Sequence, residues 1–278
     1  RWRWFLFDVD LGVAHPWSAG VTENTLAIAL SPTGRPGFDT PWATAFLRAL
    51  AANPGFKNDF LNTAADLLNS YFSVTRAVAL VNTMEAELLP TMREHVLRWQ
   101  ANGGTVARWR DRVRVVREFA SQRTARMRAH FVSTFGLSGT AQLNLDVRSP
   151  AAGTVRVNRI TIDDRLPGVN AAAPLPWSGS YFKGIPITLE ARPAPDYRFA
   201  GWTGAAGLPQ VPQITITLTT NLSLVAQFVP LAAEITAVDR PLPDALRLQL
   251  RGAPNEIYVL QTSMDLANWT DLQTFTNS

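Results

Sequence analysis

The sequence predicts an α+β chain of several domains, with a helix-rich first half followed by small all-β modules. Two periodicities and one bound from composition carry that prediction. Apolar residues recur at helical spacing to about Thr134, and from Gln142 they alternate with a period of two. The 278 residues are 46% hydrophobic and 17% charged, which is enough apolar chain for one large domain or two modest ones, each with its own core. Disordered and collagen-like architectures are excluded.

The chain opens on Arg1-Trp2-Arg3-Trp4-Phe5-Leu6-Phe7, which reads as a buried strand with no initiator Met, so it is expected to be cut from something longer. Asp39-Thr40-Pro41 is a helix start, because Asp39 or Thr40 can cap and Pro41 needs no intrahelical N–H partner; the helix runs from Trp42 to Ala52. Asn53-Pro54-Gly55 stops it. A second helix carries Phe56, Phe60, Leu61, Ala64, Ala65, Leu67 and Leu68 on one side. Ser73 caps a third with Val78, Val81, Met84, Leu88, Met92, Val96 and Trp99, in which Pro90 predicts a kink. After Asn102-Gly103-Gly104, Thr105 starts a long last helix that runs to about Thr134 and ends at Gly136, a left-handed cap position.

The β pattern follows as Leu143, Leu145 and Val147; Val155 and Val157; Ile160 and Ile162; Ile185, Ile187 and Leu189; Ile214, Ile216 and Leu218; and Leu222, Leu224, Ala226 and Phe228. A longer insertion spans about Asp163 to Pro176. Pro230 begins a linker, and from about Ile235 a third pattern appears in Leu246 to Leu250 and Ile257 to Gln261, with too few strands to close a sandwich. The expected division is therefore 1–137, 138–230 and 231–278, with truncation at both ends.

With no cysteine and only three histidines, the sequence excludes a disulfide scaffold and any Cys-built metal centre, so a metal here would be held by oxygen. It has no run of 18 apolar residues, so no transmembrane segment is expected. Lys and Arg outnumber Asp and Glu by 16 to 11 over residues 1–137, and number 10 against 11 over residues 138–278. Much of the excess lies between Arg108 and Arg128, where arginines interleave with Val106, Trp109, Val113, Val116, Phe119 and Ala120. Because the apolar positions keep helical spacing, the arginines read as a solvated helix face, and no nucleic-acid partner is expected.

One constellation carries chemistry, Phe7-Asp8-Val9-Asp10-Leu11-Gly12. On a strand, residues i and i+2 share a face, so Asp8 and Asp10 would project together from an apolar strand. Paired carboxylates repel unless a cation lies between them, and Mg²⁺ or Mn²⁺ takes such ligands when phosphoryl groups are transferred. Asp10-Leu11-Gly12 also echoes the Asp-Phe-Gly by which kinases hold their metal. The structural alternative is that the pair ends a strand and caps the turn into Gly12.

Context favours the metal. The strand ending in Asp-x-Asp, Thr40-Pro41-Trp42, the run from Leu50 to Phe60, Ala65 to Asn69, Phe72-Ser73, Met84 to Glu87 with His95, Trp99, Trp109, and Phe119 to Arg123 with Phe135 to Leu137 together resemble the spore-coat CotH kinase family over about residues 1–137. The resemblance implies an atypical protein-kinase-like fold that transfers a phosphoryl group from ATP to Ser or Thr of spore-coat or surface proteins, using Mg or Mn with ATP. It implies that Asp8 and Asp10 lie in the metal-binding segment, Asp10 being the better ligand. The family's nucleotide-binding lobe, its phosphate-contacting lysine and its catalytic aspartate lie upstream of the matched segment. No catalytic residue is assigned here, and the chain alone is expected to be inactive.

Residues from about 140 to 229 resemble the divergent internalin-type B-repeat of bacterial surface proteins. The residues that carry the likeness are Gly153 to Asn158, Trp177 to Gly184, Ile187 to Ala191, Pro195 to Trp202 and Leu224 to Phe228. Such modules work as spacers or adhesive units, which implies an extracellular or cell-surface location. Trp177, Tyr181, Tyr197, Phe199 and Trp202 allow a sugar-stacking reading, but aromatics at alternating strand positions read better as core. Tyr258 to Ser263 and Asp265 to Thr270 are similar to a β module of large secreted bacterial proteins. His15, His95 and His130 have no metal spacing and no nucleophile partner. The leading expectation is a CotH-like kinase fragment followed by β modules. Its rival is a structural or adhesive surface protein on a degenerate kinase-like scaffold.

Overall fold

The computed structural model describes residues 20–34, 41–100, 104–242, 245–253 and 256–277. The opening strand, Asp8, Asp10, His15 and the capping pair Asp39 and Thr40 lie outside the described residues.

Among the described residues five α-helices come first: α1 (Thr25–Leu30), α2 (Ala45–Ala51), α3 (Pro54–Asn69), α4 (Val74–Trp99) and α5 (Val106–Phe135). Periodicity did not anticipate α1, since six residues are too short to show a period. It exists because Asn24 Oδ1 accepts from Ala27 N at 3.0 Å while Asn24 Nδ2 donates to Thr134 Oγ1 at 3.1 Å, which fastens it to α5. Asn53, expected only to stop the preceding helix, caps α3 as well: its Oδ1 accepts from Phe56 N at 3.1 Å, with Pro54 in the first turn. Thr105 caps α5 through Arg108 N at 3.2 Å, and Gly136 closes it at φ 62°. Pro90 sits inside α4, which remains one helix.

Helices α4 and α5 form a hairpin with a small core of Met92, Val96 and Trp109. The remaining helical core lies elsewhere. Leu61 and Ala65 of α3 and Phe131 of α5 belong to the same buried cluster as the strands that follow.

Those strands are β1 (Thr140–Val147), β2 (Gly153–Val157), β3 (Ile160–Ile162), β4 (Trp177–Phe182), β5 (Pro186–Pro193), β6 (Tyr197–Thr203), β7 (Gln213–Thr217) and β8 (Leu222–Pro230). They make two four-stranded sheets, ordered β4-β1-β8-β6 and β3-β2-β5-β7. Only β1 and β8 pair in parallel, with Leu145 opposite Leu224. Alternation places Leu143, Leu145, Val155, Val157, Ile187, Leu189, Leu224 and Ala226 inside, all buried. In β4 and β6 the alternating residues are the aromatics Trp177 and Tyr181, and Tyr197 and Phe199, with a glycine in each strand. Gly179 must be glycine, since a Cβ there would lie 2.2 Å from the Trp177 ring.

Past residue 230 come β9 (Glu234–Leu242), β10 (Ala245–Arg251), β11 (Ile257–Thr262) and β12 (Thr270–Thr276). They form two separate antiparallel pairs, as the shortage of strands implied. The architecture is α+β and multidomain.

Candidate functional site

The metal candidates Asp8 and Asp10 lie outside the described residues. Among the described residues no group of three or more His, Cys, Asp or Glu side chains is placed to hold a metal ion.

The described chemistry gathers where α3 meets the β-sandwich. Helix α3 carries Leu61, Ala65 and Leu68 toward the interior, and Asp66 enters beside them, only 2% exposed. Its carboxylate accepts from Tyr181 Oη at 2.8 Å, from Asn158 Nδ2 at 3.2 Å and from Arg159 N at 3.3 Å. Burial pushes the Asp66 carboxyl up to about 6, and these hydrogen bonds, Tyr181 foremost, pull the other way. The Tyr181 phenol is raised well above its ordinary value by its burial and by the neighbouring carboxylate.

One turn on, Asn69 treats the edge of β4 as another strand would. Its Oδ1 accepts from Ser180 N at 2.9 Å and its Nδ2 donates to Ser180 O at 3.1 Å, so the edge groups of Ser180 are satisfied without a neighbouring strand. Arg128 of α5 holds that amide in place, donating to Asn69 Oδ1 at 2.6 Å and to Leu68 O at 3.1 Å. Earlier on α3, Asn62 Nδ2 donates to Pro186 O at 2.7 Å and Arg159 pairs with Asp59 at 3.6 Å. A cavity of about 370 Å³ opens beside this hub, between Asp66, Tyr71, Arg159 and Leu166.

The arginines of α5 divide between two tasks. Arg114 pairs with Glu118 at 2.7 Å on the exposed face, Arg117 pairs with Glu85 of α4, and Arg117 Nε also donates to Asn82 Oδ1 at 2.8 Å. Arg123 instead donates to Val21 O and Glu23 O, at 3.0 and 3.1 Å, and so ties down the segment before α1. The arginine-rich helix is thus partly a solvated face, as its spacing implied, and partly a set of internal ties that spacing does not show.

Trp177, Tyr181 and Trp202 are buried, and Tyr197 and Phe199 pack against the same cluster. These aromatics form the module's core and not an open platform. His95 is exposed on α4, while His130 is lowered by burial, with Arg123 adding to the effect. Sequence reasoning missed Asp66, Asn69, Asn158 and Arg128 as a set. The one local signal was a carboxylate set beside the buried positions of an amphipathic helix.

Fold and hub together define the class: a helical lobe seated on a β-sandwich through a buried polar clamp. Residues 1–127 match the family model described as CotH kinase protein, and residues 169–232 match the Divergent InlB B-repeat domain, in the order that the sequence motifs gave. The first match ends inside α5, and the second covers β4 to β8. No curated protein and no solved structure matches the chain. No helix among the described residues is long and apolar enough to cross a membrane.

Proposed function

We propose that residues 1–137 serve a CotH-type atypical protein kinase, that residues 138–230 form its B-repeat module, and that residues 231–278 begin a further β module. The carrying observation is the match of residues 1–127 to the CotH kinase protein family, with a B-repeat match at residues 169–232 after it. In the proposed reaction the γ-phosphoryl of ATP passes to a protein Ser or Thr hydroxyl. The bond from the β–γ bridging oxygen to the γ-phosphorus breaks, a new O–P bond forms, the hydroxyl proton is lost and ADP departs. Asp8 and Asp10 would hold Mg²⁺ or Mn²⁺, which neutralises phosphate charge. No residue of this sequence is assigned as the base. The B-repeat supports an extracellular or cell-surface setting, with surface or coat proteins as substrates.

The test compares the natural gene product with its Asp10→Ala variant, by thermal unfolding with Mn²⁺ and ATP and by γ-phosphate transfer. Nucleotide-dependent stabilisation and transfer that Asp10→Ala abolishes support the kinase. Equal melting of both proteins at millimolar Mn²⁺ and ATP, with no transfer, refutes it in favour of the adhesive or structural reading.

A further inference from the structure

The sequence places a domain boundary near residue 138, and a spacer module would be free to swing there. We infer instead that α3, α5 and the β-sandwich form one rigid, cooperatively folding body, and that an articulation lies beyond it at residues 231–233. This inference is independent of the kinase reading, and its test involves no nucleotide.

The core runs through the supposed boundary. Phe56 stacks with Phe60 at 6.0 Å, Phe60 meets Phe131 at 5.7 Å, and Phe131 meets Phe182 of β4 at 5.5 Å, a continuous line of rings from α3 through α5 into the sandwich. Leu61, Ala65 and Phe131 are at most 5% exposed, and their cover comes from the cluster that holds Tyr181, Phe182 and Ile187. Removing the β module would open this face to water; among the described residues the other helical core is the small one of the α4–α5 hairpin.

Polar contacts pin the C-terminal half of the same face. Helix α3 is 16 residues long, about 24 Å. Asn62 grips Pro186 at its midpoint, Asp66 grips Tyr181, Asn158 and Arg159 one turn later, and Asn69 grips Ser180 at its end. Contacts spread over two turns of a rigid rod, with Leu61 buried in the shared core beside them, resist rocking as well as separation. The connecting segment is held too: Leu137 N donates to Val132 O at 2.9 Å, Leu137 packs on the core, and Lys183 N donates to Gly139 O at 3.0 Å.

The junction after Pro230 has a different character. Leu231 N donates to Asp196 O at 2.7 Å, and Arg251 of β10 pairs with Asp196 at 2.7 Å, with the Arg251 side chain 64% exposed. Asp196 is half-buried but its arginine partner stands in solvent, where a single ion pair contributes little. Every residue of β9 is exposed, so no shared core crosses this joint along that strand. The sandwich thus fixes the orientation of α3 and α5, and the joint at residues 231–233 lets the strands that follow move against it.

The absence of cysteine makes spin labelling clean, because labels attach only at introduced sites. In the full chain, Gln122→Cys on α5 with Thr215→Cys on β7 should give a narrow electron–electron distance distribution. Thr215→Cys with Thr274→Cys on β12 should give one several-fold broader. All three positions are exposed. A first distribution as broad as the second, or a second as narrow as the first, overturns the inference. Hydrogen exchange provides a measurement free of labels. Ile187→Val in the sandwich should speed exchange of α3 amides and sandwich amides by the same factor, roughly three- to tenfold. Unchanged exchange in α3 beside faster exchange in the sandwich would show two separate units and overturn it.

Discussion

Replacing Tyr181 by Phe keeps the ring and deletes the hydroxyl that reaches Asp66 at 2.8 Å. Tyr181 is 0% exposed, so water does not take its place, and the carboxylate is left with Asn158 and Arg159 N. A hydrogen bond to a charged acceptor contributes about 1.5–3 kcal/mol and one to a neutral group about 1 kcal/mol. The size of the loss therefore depends on whether Asp66 is ionised. Its folded-state value of about 6 lies above the ordinary 3.8, so the folded protein binds the proton more tightly than the unfolded chain. Stability from this group is full below pH 3.8 and falls as pH rises toward 6, by about 3 kcal/mol in all. The Tyr181 bond opposes that rise, so Tyr181→Phe moves the carboxyl still higher. Urea unfolding followed by far-ultraviolet circular dichroism at pH 8 and at pH 4.5 reads both effects. Tyr181→Phe should lose about 2–3 kcal/mol at pH 8 and about 1 kcal/mol at pH 4.5. An equal loss at both pH values, or a larger one in acid, would refute the reasoning. Asp66→Asn, which cannot titrate, serves as the control, and its stability between pH 4 and 7 should fall less steeply than that of the parent.

Two further substitutions probe the same body. Leu61→Ala removes a fully buried side chain from the helix–sandwich core and should cost about 3–4 kcal/mol, read as a lower urea midpoint in a transition that helical and β signals share. Gly179→Ala drives a methyl into the Trp177 ring, where a Cβ would stand 2.2 Å away, and should cost about 2–3 kcal/mol with a shifted indole fluorescence spectrum.

Much of the fold is legible in the chain. Thr105 and Gly136 mark the ends of α5 through groups the backbone needs locally: a hydroxyl for an unpaired N–H and a residue that accepts positive φ. Alternation found β1, β2, β3, β5, β7 and β8, because a half-buried strand writes its buried face into every second residue. In β4 and β6 the alternating positions are marked by aromatics, with Gly179 and Gly201 among them. The candidate site is legible in part. Asp8-x-Asp10 is visible because two carboxylates on one strand face are a local pattern. Asp66 is not, because its partners stand 92 to 115 residues away.

The sequence by itself determined the α-then-β order, the ends of α5 and the two family likenesses, all of which depend on neighbours within a few residues or on ordered motifs. Only the tertiary structure decided that α3 and α5 share a core with the sandwich and that Asn69 completes the edge of β4. The physical reason lies in reach. A helix face declares that it must be covered, but which surface covers it depends on shape and on hydrogen-bond partners brought together from distant parts of the chain.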